Sequence, residues 1–305
     1  MRIVSLLPSL TELVCALGRG DELVGVTHEC DYPPGVEFLP HLTRSRIAAQ
    51  ATSAAIDRAV SEQGGSLYDL DGVTLAELRP DIILTQEQCD VCAVNEATVR
   101  RVASNLAHLP RVESVNPTDL AGVYAMFTEI GKILDAEPEA QMLRQTFEDL
   151  AEEIVSRVGG LRRPRVLLLE WFDPPFTSGH WNPELVQLAG GVEVFAKSGE
   201  RSRRATWDEV AEADPDLILL SPCGFTIERT EAELPGLLRR LEWRSLRAVQ
   251  SGRVALTDGS AYFSRPGPRL KESLAIAAEF IHPEVCANLA PAGALRFLEP
   301  IASDA

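Results

Sequence analysis

Two stretches, Ala76-Glu-Leu-Arg-Pro-Asp-Ile-Ile-Leu84 and Ala211-Glu-Ala-Asp-Pro-Asp-Leu-Ile-Leu219, are near-copies of each other within one chain of 305 residues. In each, a short helix must stop at Pro-Asp, because the residue before a proline is pushed out of helical geometry. An apolar run of strand length follows at once. A second echo lies upstream of each copy. Ser9-Leu-Thr-Glu-Leu-Val-Cys-Ala-Leu-Gly18 and Asn182-Pro-Glu-Leu-Val-Gln-Leu-Ala-Gly-Gly191 both open on a helix-starting residue, carry Glu-Leu-Val and end in glycine. Each follows an apolar strand, over 3–7 and 166–169. Internal similarity of this kind marks a duplicated unit, and strands alternating with helices imply parallel sheets. The chain therefore reads as two α/β lobes.

Further strands are expected over 22–26, 112–115 and 253–257. Residues 44–70 have no counterpart in the second half and read as an insertion, helical over 48–62 and ended by Gly64-Gly65. Between the halves, Leu120, Val123, Phe127 and Ile130 share one helical face. Beyond Pro138, which a first helical turn tolerates, Leu143, Phe147, Leu150, Ile154 and Val158 recur at helical spacing until Gly159-Gly160. The expected organisation is an N-terminal lobe over 1–117, a helical linker over 118–160 containing one long backbone helix at about 138–158, and a C-terminal lobe over 161–305. The segment 288–305 is expected to pack on the second lobe.

Composition narrows the partners. A net charge of −16 disfavours nucleic acid and anionic membranes, which need arginine and lysine to neutralise phosphate. No apolar run approaches the roughly 20 residues of a membrane span. Met1-Arg2 leads straight into Ile3-Val4-Ser5-Leu6-Leu7-Pro8 without the pattern of a secretory signal, so a cytoplasmic location is expected, or a periplasmic or extracellular one if the N-terminus is processed or truncated. The six cysteines, Cys15, Cys30, Cys89, Cys92, Cys223 and Cys286, are then expected to be reduced, with Cys15 and Cys286 as small buried hydrophobes.

Open parallel sheets bind ligands beyond the carboxyl ends of their strands. That rule selects Pro8 and Ser9 after the first strand, His28 and Cys30 after the second, and Gln86, Glu87, Cys89 and Cys92 after the strand ending at Leu84. In the second half it selects Trp171, Phe176, His180 and Trp181, then Cys223, then Tyr262 and Arg265. Four of the six cysteines, two of the five histidines and two of the four tryptophans fall on these tips, a concentration that core packing alone does not explain. Arg201, Arg203 and Arg204 could face an acidic group of a ligand or be solvated. His41, His108 and His282 lie away from the tips and are expected at the surface. Trp207 reads as a helix-start packing residue capped by Thr206 or Asp208, and Trp243 as core.

On Arg2-Ile-Val-Ser-Leu-Leu-Pro-Ser-Leu-Thr-Glu12, Val24-Gly-Val-Thr-His-Glu-Cys-Asp-Tyr-Pro-Pro34, Leu78-Arg-Pro-Asp-Ile-Ile83, Pro174-Pro-Phe-Thr-Ser-Gly179 and Tyr262-Phe-Ser-Arg-Pro-Gly-Pro-Arg269, the chain resembles the class III substrate-binding proteins of ABC importers, and within them the members that bind vitamin B12. The resemblance implies two Rossmann-like lobes with central parallel sheets, one backbone helix joining them, and a corrinoid or other metal chelate lying flat in a cleft between the lobes. It implies non-catalytic binding, with Pro8, Ser9, Cys30, Phe176 and Tyr262 as contacts. Exported members of the class dock on a permease through a glutamate on each lobe; Glu12 and Glu184 stand at the equivalent helix starts, where stabilising a helix N-terminus explains them equally. An ABC permease is a partner only if a signal peptide precedes this chain.

The departures leave other chemistry open. Cys89-x-x-Cys92, foreign to the B12-binding members, could join Cys30 and Cys223, with His28 and His180, in a zinc site, giving a regulatory or storage protein. A thiol or imidazole could instead meet the metal of a bound macrocycle, the dithiol could be redox-active, or the cysteines could simply be buried at strand ends. No Walker A, dinucleotide glycine fingerprint or nucleophile elbow is present. No catalytic residue is assigned, and a corrinoid- or chelate-processing enzyme is the remaining alternative.

Overall fold

The computed structural model describes residues 1–48, 51–63, 67–87 and 94–301. Contacts divide the chain into two compact units: Met1–Ala51, Ala55–Pro117 and Ala121–Arg144 form the first; Thr52–Ala54, Thr118–Leu120 and Gln145–Ala305 form the second.

The first unit is built from β1 (Ile3–Ser5), α1 (Pro8–Ala16), β2 (Leu23–Val26), β3 (Thr43–Ser45), α2 (Ser53–Gln63), β4 (Tyr68–Leu70), α3 (Gly72–Leu78), β5 (Ile82–Gln86), α4 (Glu96–Ala103) and β6 (Arg111–Val115). Its sheet runs β2-β1-β5-β6 and every pairing is parallel. Val4, Leu6, Leu42, Leu75, Ile83, Val94 and Val99 form its core. The insertion is bracketed by a two-stranded antiparallel ribbon, Thr43 opposite Leu70 and Ser45 opposite Tyr68. Its helix begins at Ser53, later than 48. The glycines expected to end it lie outside the described residues.

Two helices follow, α5 (Leu120–Ile133) and α6 (Glu137–Val158). Leu120, Val123, Phe127 and Ile130 are all buried. Helix α6 has 22 residues, on the order of 33 Å of axis. It is the long backbone helix expected from the spacing, and it passes from the first unit into the second between Arg144 and Gln145.

The second unit comprises β7 (Arg165–Phe172), β8 (Pro175–Thr177), α7 (Asn182–Leu188), β9 (Val192–Glu193), α8 (Trp207–Ala213), β10 (Leu217–Leu220), α9 (Ile227–Leu237), α10 (Leu241–Ser245), α11 (Arg247–Gln250), β11 (Val254–Leu256), α12 (Leu270–Ile281), α13 (Pro283–Cys286) and β12 (Arg296–Phe297). Its sheet runs β12-β11-β10-β7-β8, with β9 also on β7. The inner pairings and β9 are parallel, but β8 and β12 are antiparallel. The sheet is thus mixed rather than purely parallel. Both sheets place their first strand between the second and third strands of the repeat, which puts a switch of winding direction at β1/β5 and at β7/β10. Trp207 and Trp243 meet edge-on at 5.9 Å in the second core. Thr206 caps α8 in a capping box with Glu209. Leu298 and Ile301 pack on the same core.

The Pro-Asp repeats explain themselves in structure. The residue before each proline, Arg79 or Asp214, ends its helix in the left-handed region (φ 47 and 39). Asp81 then accepts the backbone N–H of Arg2 at 2.7 Å and gives its own N–H to the Arg2 carbonyl at 2.9 Å. Asp216 does the same with Arg165, at 2.9 Å in both directions. Each arginine reaches back to the end of the preceding helix, Arg2 Nε to the Leu78 carbonyl and Arg165 Nη2 to the Ala213 carbonyl, both at 2.8 Å. Two sequence expectations fail here. His282 is 4% exposed, with Nε2 3.3 Å from the Gly190 carbonyl, because α12 carries it under α7. Cys15 is only half-buried, while Cys286 is fully buried.

Replacing Asp216 with alanine removes its bonds to Arg165 N and Arg162. A loss of about 1–2 kcal/mol is expected, read as a lower midpoint in urea unfolding; an unchanged midpoint would show that the clasp does not hold the strand.

Candidate functional site

In the first unit the selected residues collect at the carboxyl edge of β1, β2 and β5. Pro8 and Ser9 open α1 and are buried. Among the described residues the Ser9 hydroxyl has no hydrogen-bond partner. Cys30 is buried, and its sulfur lies 3.0 Å from the Thr11 hydroxyl, which also donates to Ser5 at 2.8 Å. His28 is fixed at the edge of the insertion: Nδ1 is 2.6 Å from Thr43 Oγ1, just ahead of it, and its ring lies 5.4 Å from that of Tyr68 within it. Tyr68 was not selected from sequence, because the insertion has no counterpart to align it with. Gln86 is buried on β5, whereas Glu87 is exposed. Cys89 and Cys92 lie outside the described residues. Cys30 and Cys223 belong to different units. Among the described residues no group of three or more histidine, cysteine, aspartate or glutamate side chains could hold a metal ion.

In the second unit the tips of β7, β10 and β11 carry the aromatics. Trp171 meets Phe225 edge-on at 5.0 Å, and its indole donates to the Ser53 carbonyl, in a stretch that belongs to this unit. Phe176 is half-buried with the Arg204 guanidinium 5.6 Å from its ring centre, and Tyr262 is half-buried under Arg269 at 5.8 Å. Trp181 departs from expectation: it is 4% exposed and its indole donates to the Phe263 carbonyl at 2.8 Å, which makes it a staple between loops rather than a ligand face. His180 adopts φ 55, and burial, followed by the charge of Arg201, pushes its imidazole below the ordinary range. Arg265 is buried and bonds Ser260 at 3.2 Å. Cys223 is half-buried, its N–H on the Glu170 carbonyl at 3.1 Å.

Two carboxylates stand behind these tips. Glu170 accepts from Asn182 Nδ2 at 2.8 Å and from Ser202 Oγ at 2.5 Å, and burial raises it above the usual carboxylate range despite those bonds. Glu193 accepts from Leu168 and Phe195 N–H at 3.2 Å each; burial, reinforced by the charge of Glu170, pushes it up to about 8. An acidic residue inside an otherwise apolar run, Val166 to Phe172, was the available signal for Glu170.

The glutamates at the two helix starts are both engaged internally. Glu12 is 3% exposed. Glu184 accepts the N–H of Leu120, the first residue of α5, at 2.8 Å.

Residues 3–261 match the family model for periplasmic binding proteins. The chain belongs to that family. A binding role is therefore this chain's. A vitamin B12-binding protein of Vibrio cholerae is 26% identical over 290 residues, covering 90% of this chain and 86% of the relative. That of Yersinia pestis is 26% identical over 235 residues, covering 76% and 73%. Among solved structures, a periplasmic heme binding protein from Pseudomonas aeruginosa superposes with a TM-score of 0.71 at 20% identity over 98% of this chain and 95% of that one. The periplasmic vitamin B12 binding protein of Vibrio cholerae gives 0.67 at 20% identity over 92% and 96%. These likenesses carry the fold: α/β units linked by a long helix.

A carboxyl held above its ordinary range keeps a proton in the folded chain that the unfolded chain has released. The stability contributed by Glu193 is therefore constant below about pH 4.5 and falls as pH rises to about 8. Urea unfolding of wild type and Glu193→Gln between pH 5 and 9 should show the variant gaining on wild type across that window. A constant offset between the two would overturn this assignment.

Proposed function

We propose that the chain is a non-catalytic binder of cobalamin, or of a related corrinoid or metal chelate, and that the tips around Phe176 and Tyr262 form part of the ligand surface. The observation that carries this reading is the pairing of half-buried aromatic rings with guanidinium groups at one sheet edge, Phe176 with Arg204 and Tyr262 with Arg269. Aromatic faces suit a large, flat, partly apolar ring. Arginines at their side suit a phosphate or carboxylate on its rim. In a chain with a net charge of −16, arginines over both rings favour an anionic periphery. The vitamin B12-binding relatives support the corrinoid choice. The arginines also favour a second reading, a carboxylate-rimmed iron macrocycle.

Mixing the reduced protein with hydroxocobalamin, removing free ligand and recording the visible spectrum beside a metal analysis tests the reading. About one equivalent of retained corrin is expected, with affinity lowered about tenfold or more in a Phe176→Ala/Tyr262→Ala variant, the loss of two stacking faces. A spectral shift absent from a Cys30→Ala/Cys89→Ala/Cys92→Ala variant would place a thiolate on the cobalt. Retention of hemin but not corrin selects the second reading. Stoichiometric zinc with neither chelate overturns both and moves the function to the cysteines.

A further inference from the structure

The guanidinium that stands over Phe176 is carried by a strap, residues 199–205, that runs antiparallel along β8. Phe176 and Arg204 are directly opposite each other. The bonds that flank them are Ala205 N–H to the Pro175 carbonyl at 2.8 Å and Thr177 N–H to the Arg203 carbonyl at 3.0 Å. That pattern makes Phe176 and Arg204 a non-hydrogen-bonded pair, whose side chains lie on one face and close together. The register of the strap therefore brings Arg204 to the Phe176 ring. Further along, the strap is bonded again: His180 N–H to the Glu200 carbonyl at 2.6 Å and Gly199 N–H to the His180 carbonyl at 3.1 Å.

Between these two anchorages the backbone ladder is interrupted. Ser178, two residues on from Phe176, gives its N–H to the Leu168 carbonyl on β7 at 3.0 Å instead of to the strap. A side chain closes the gap: Ser202 Oγ donates to the Glu170 carboxylate at 2.5 Å. The approach is close, since a Cβ on Gly179 would stand 2.2 Å from Ser202 N. The same carboxylate accepts from the Gly179 N–H and, at 2.8 Å, from Asn182 Nδ2 at the start of α7. It thus ties strap, turn and helix to the end of β7, through neutral donors. Arg201 and Arg203 flank Ser202 and are exposed, Arg203 pairing with Glu209 at 3.2 Å. A slip of one residue would bring an arginine to Glu170 in place of the serine and turn Arg204 to the other face.

We propose that Glu170, acting through Ser202, is the positioning residue that fixes this register, so that Arg204 is set over Phe176 before a ligand arrives and the aromatic face selects ligands with an anionic rim. The selectivity rests on the reading of Phe176 as ligand surface; the register does not. An aromatic face attracts any flat, partly apolar ring, so Phe176 alone discriminates little between rims. A guanidinium discriminates by charge, and one already ordered loses little freedom on binding. Contact with the ligand is left to Phe176 and Arg204, with Glu170 and Ser202 behind them.

Two readouts keep the positioning role apart from the ligand reading. In ligand-free protein, hydrogen exchange at the Thr177 and Ala205 amides reports the register. It should quicken about tenfold or more in Ser202→Ala, the loss of one hydrogen bond to a charged group, and return to the wild-type rate in Ser202→Thr. Glu170→Leu should reproduce Ser202→Ala. For binding, the probes are hydroxocobalamin and a monocarboxylic acid of it, which differ by one rim amide turned to carboxylate; hemin and its dimethyl ester are the second pair. Wild type should prefer the more acidic member by about two- to fivefold at low salt. Ser202→Ala and Arg204→Ala should each lose that preference, and combining them should remove nothing more. Merely loosened folding would instead weaken both members of a pair alike. Unchanged exchange in Ser202→Ala overturns the positioning role. Faster exchange with the preference intact overturns the specificity role. Faster exchange in Ser202→Ala with neither pair bound by wild type supports the register and overturns the ligand reading alone.

Discussion

Each unit hangs on an arginine–aspartate clasp. In both copies the aspartate after the proline exchanges two backbone-directed hydrogen bonds with the arginine entering the first strand, and that arginine binds the end of the helix just before the proline. A parallel pair has no hairpin to set its register. The clasp sets it at the amino ends, where Ile3 then falls opposite Ile82 and Val166 opposite Leu217. Fixing the amino ends fixes where the carboxyl ends stop, and so which residues form the rims. The position of Ser5 against Leu84, or of Glu170 beside Ser221, is inherited from a contact at the far end of the strand.

That dependence explains what was legible beforehand. Pro-Asp preceded by a short helix and followed by isoleucine or leucine is a local signal, and it appears twice, so the duplicated α/β organisation and the long helix α6 could be read directly. The spacing of Leu143, Phe147, Leu150, Ile154 and Val158 needed no tertiary information. The mixed second sheet was not legible: β8 and β12 have three and two residues, too short for an alternating pattern.

The rims were legible as segments and less so as side chains. Strand ends identified the right loops, but not which residue in a loop turns outward. Trp181 is turned inward onto a loop distant in sequence, Arg265 bonds Ser260 of its own loop, and His28 is held by Thr43, just ahead of the insertion, and by Tyr68 within it. The choices at Trp181 and His28 depend on partners distant in sequence. Glu170 and Glu193 were overlooked for the same reason: their chemistry comes from burial, which a run of letters does not show. The acidic average of the chain likewise hides the arginines that stand over Phe176 and Tyr262.

The antiparallel strand β12 has a consequence for solubility. Open sheets are prone to recruit strands from other molecules through the unpaired N–H and C=O groups of an outer strand. Strand β11 would be such an outer strand, with apolar Val254, Ala255 and Leu256 on it. Arg296 and Phe297 occupy that side, opposite Leu256 and Ala255, and Arg296 further pairs with Glu228 and Glu231. Two residues near the end of the described chain, one of them charged, act as a guard against self-association, so shortening the chain ahead of Arg296 would trade a small loss of buried surface for a template on which copies can stack.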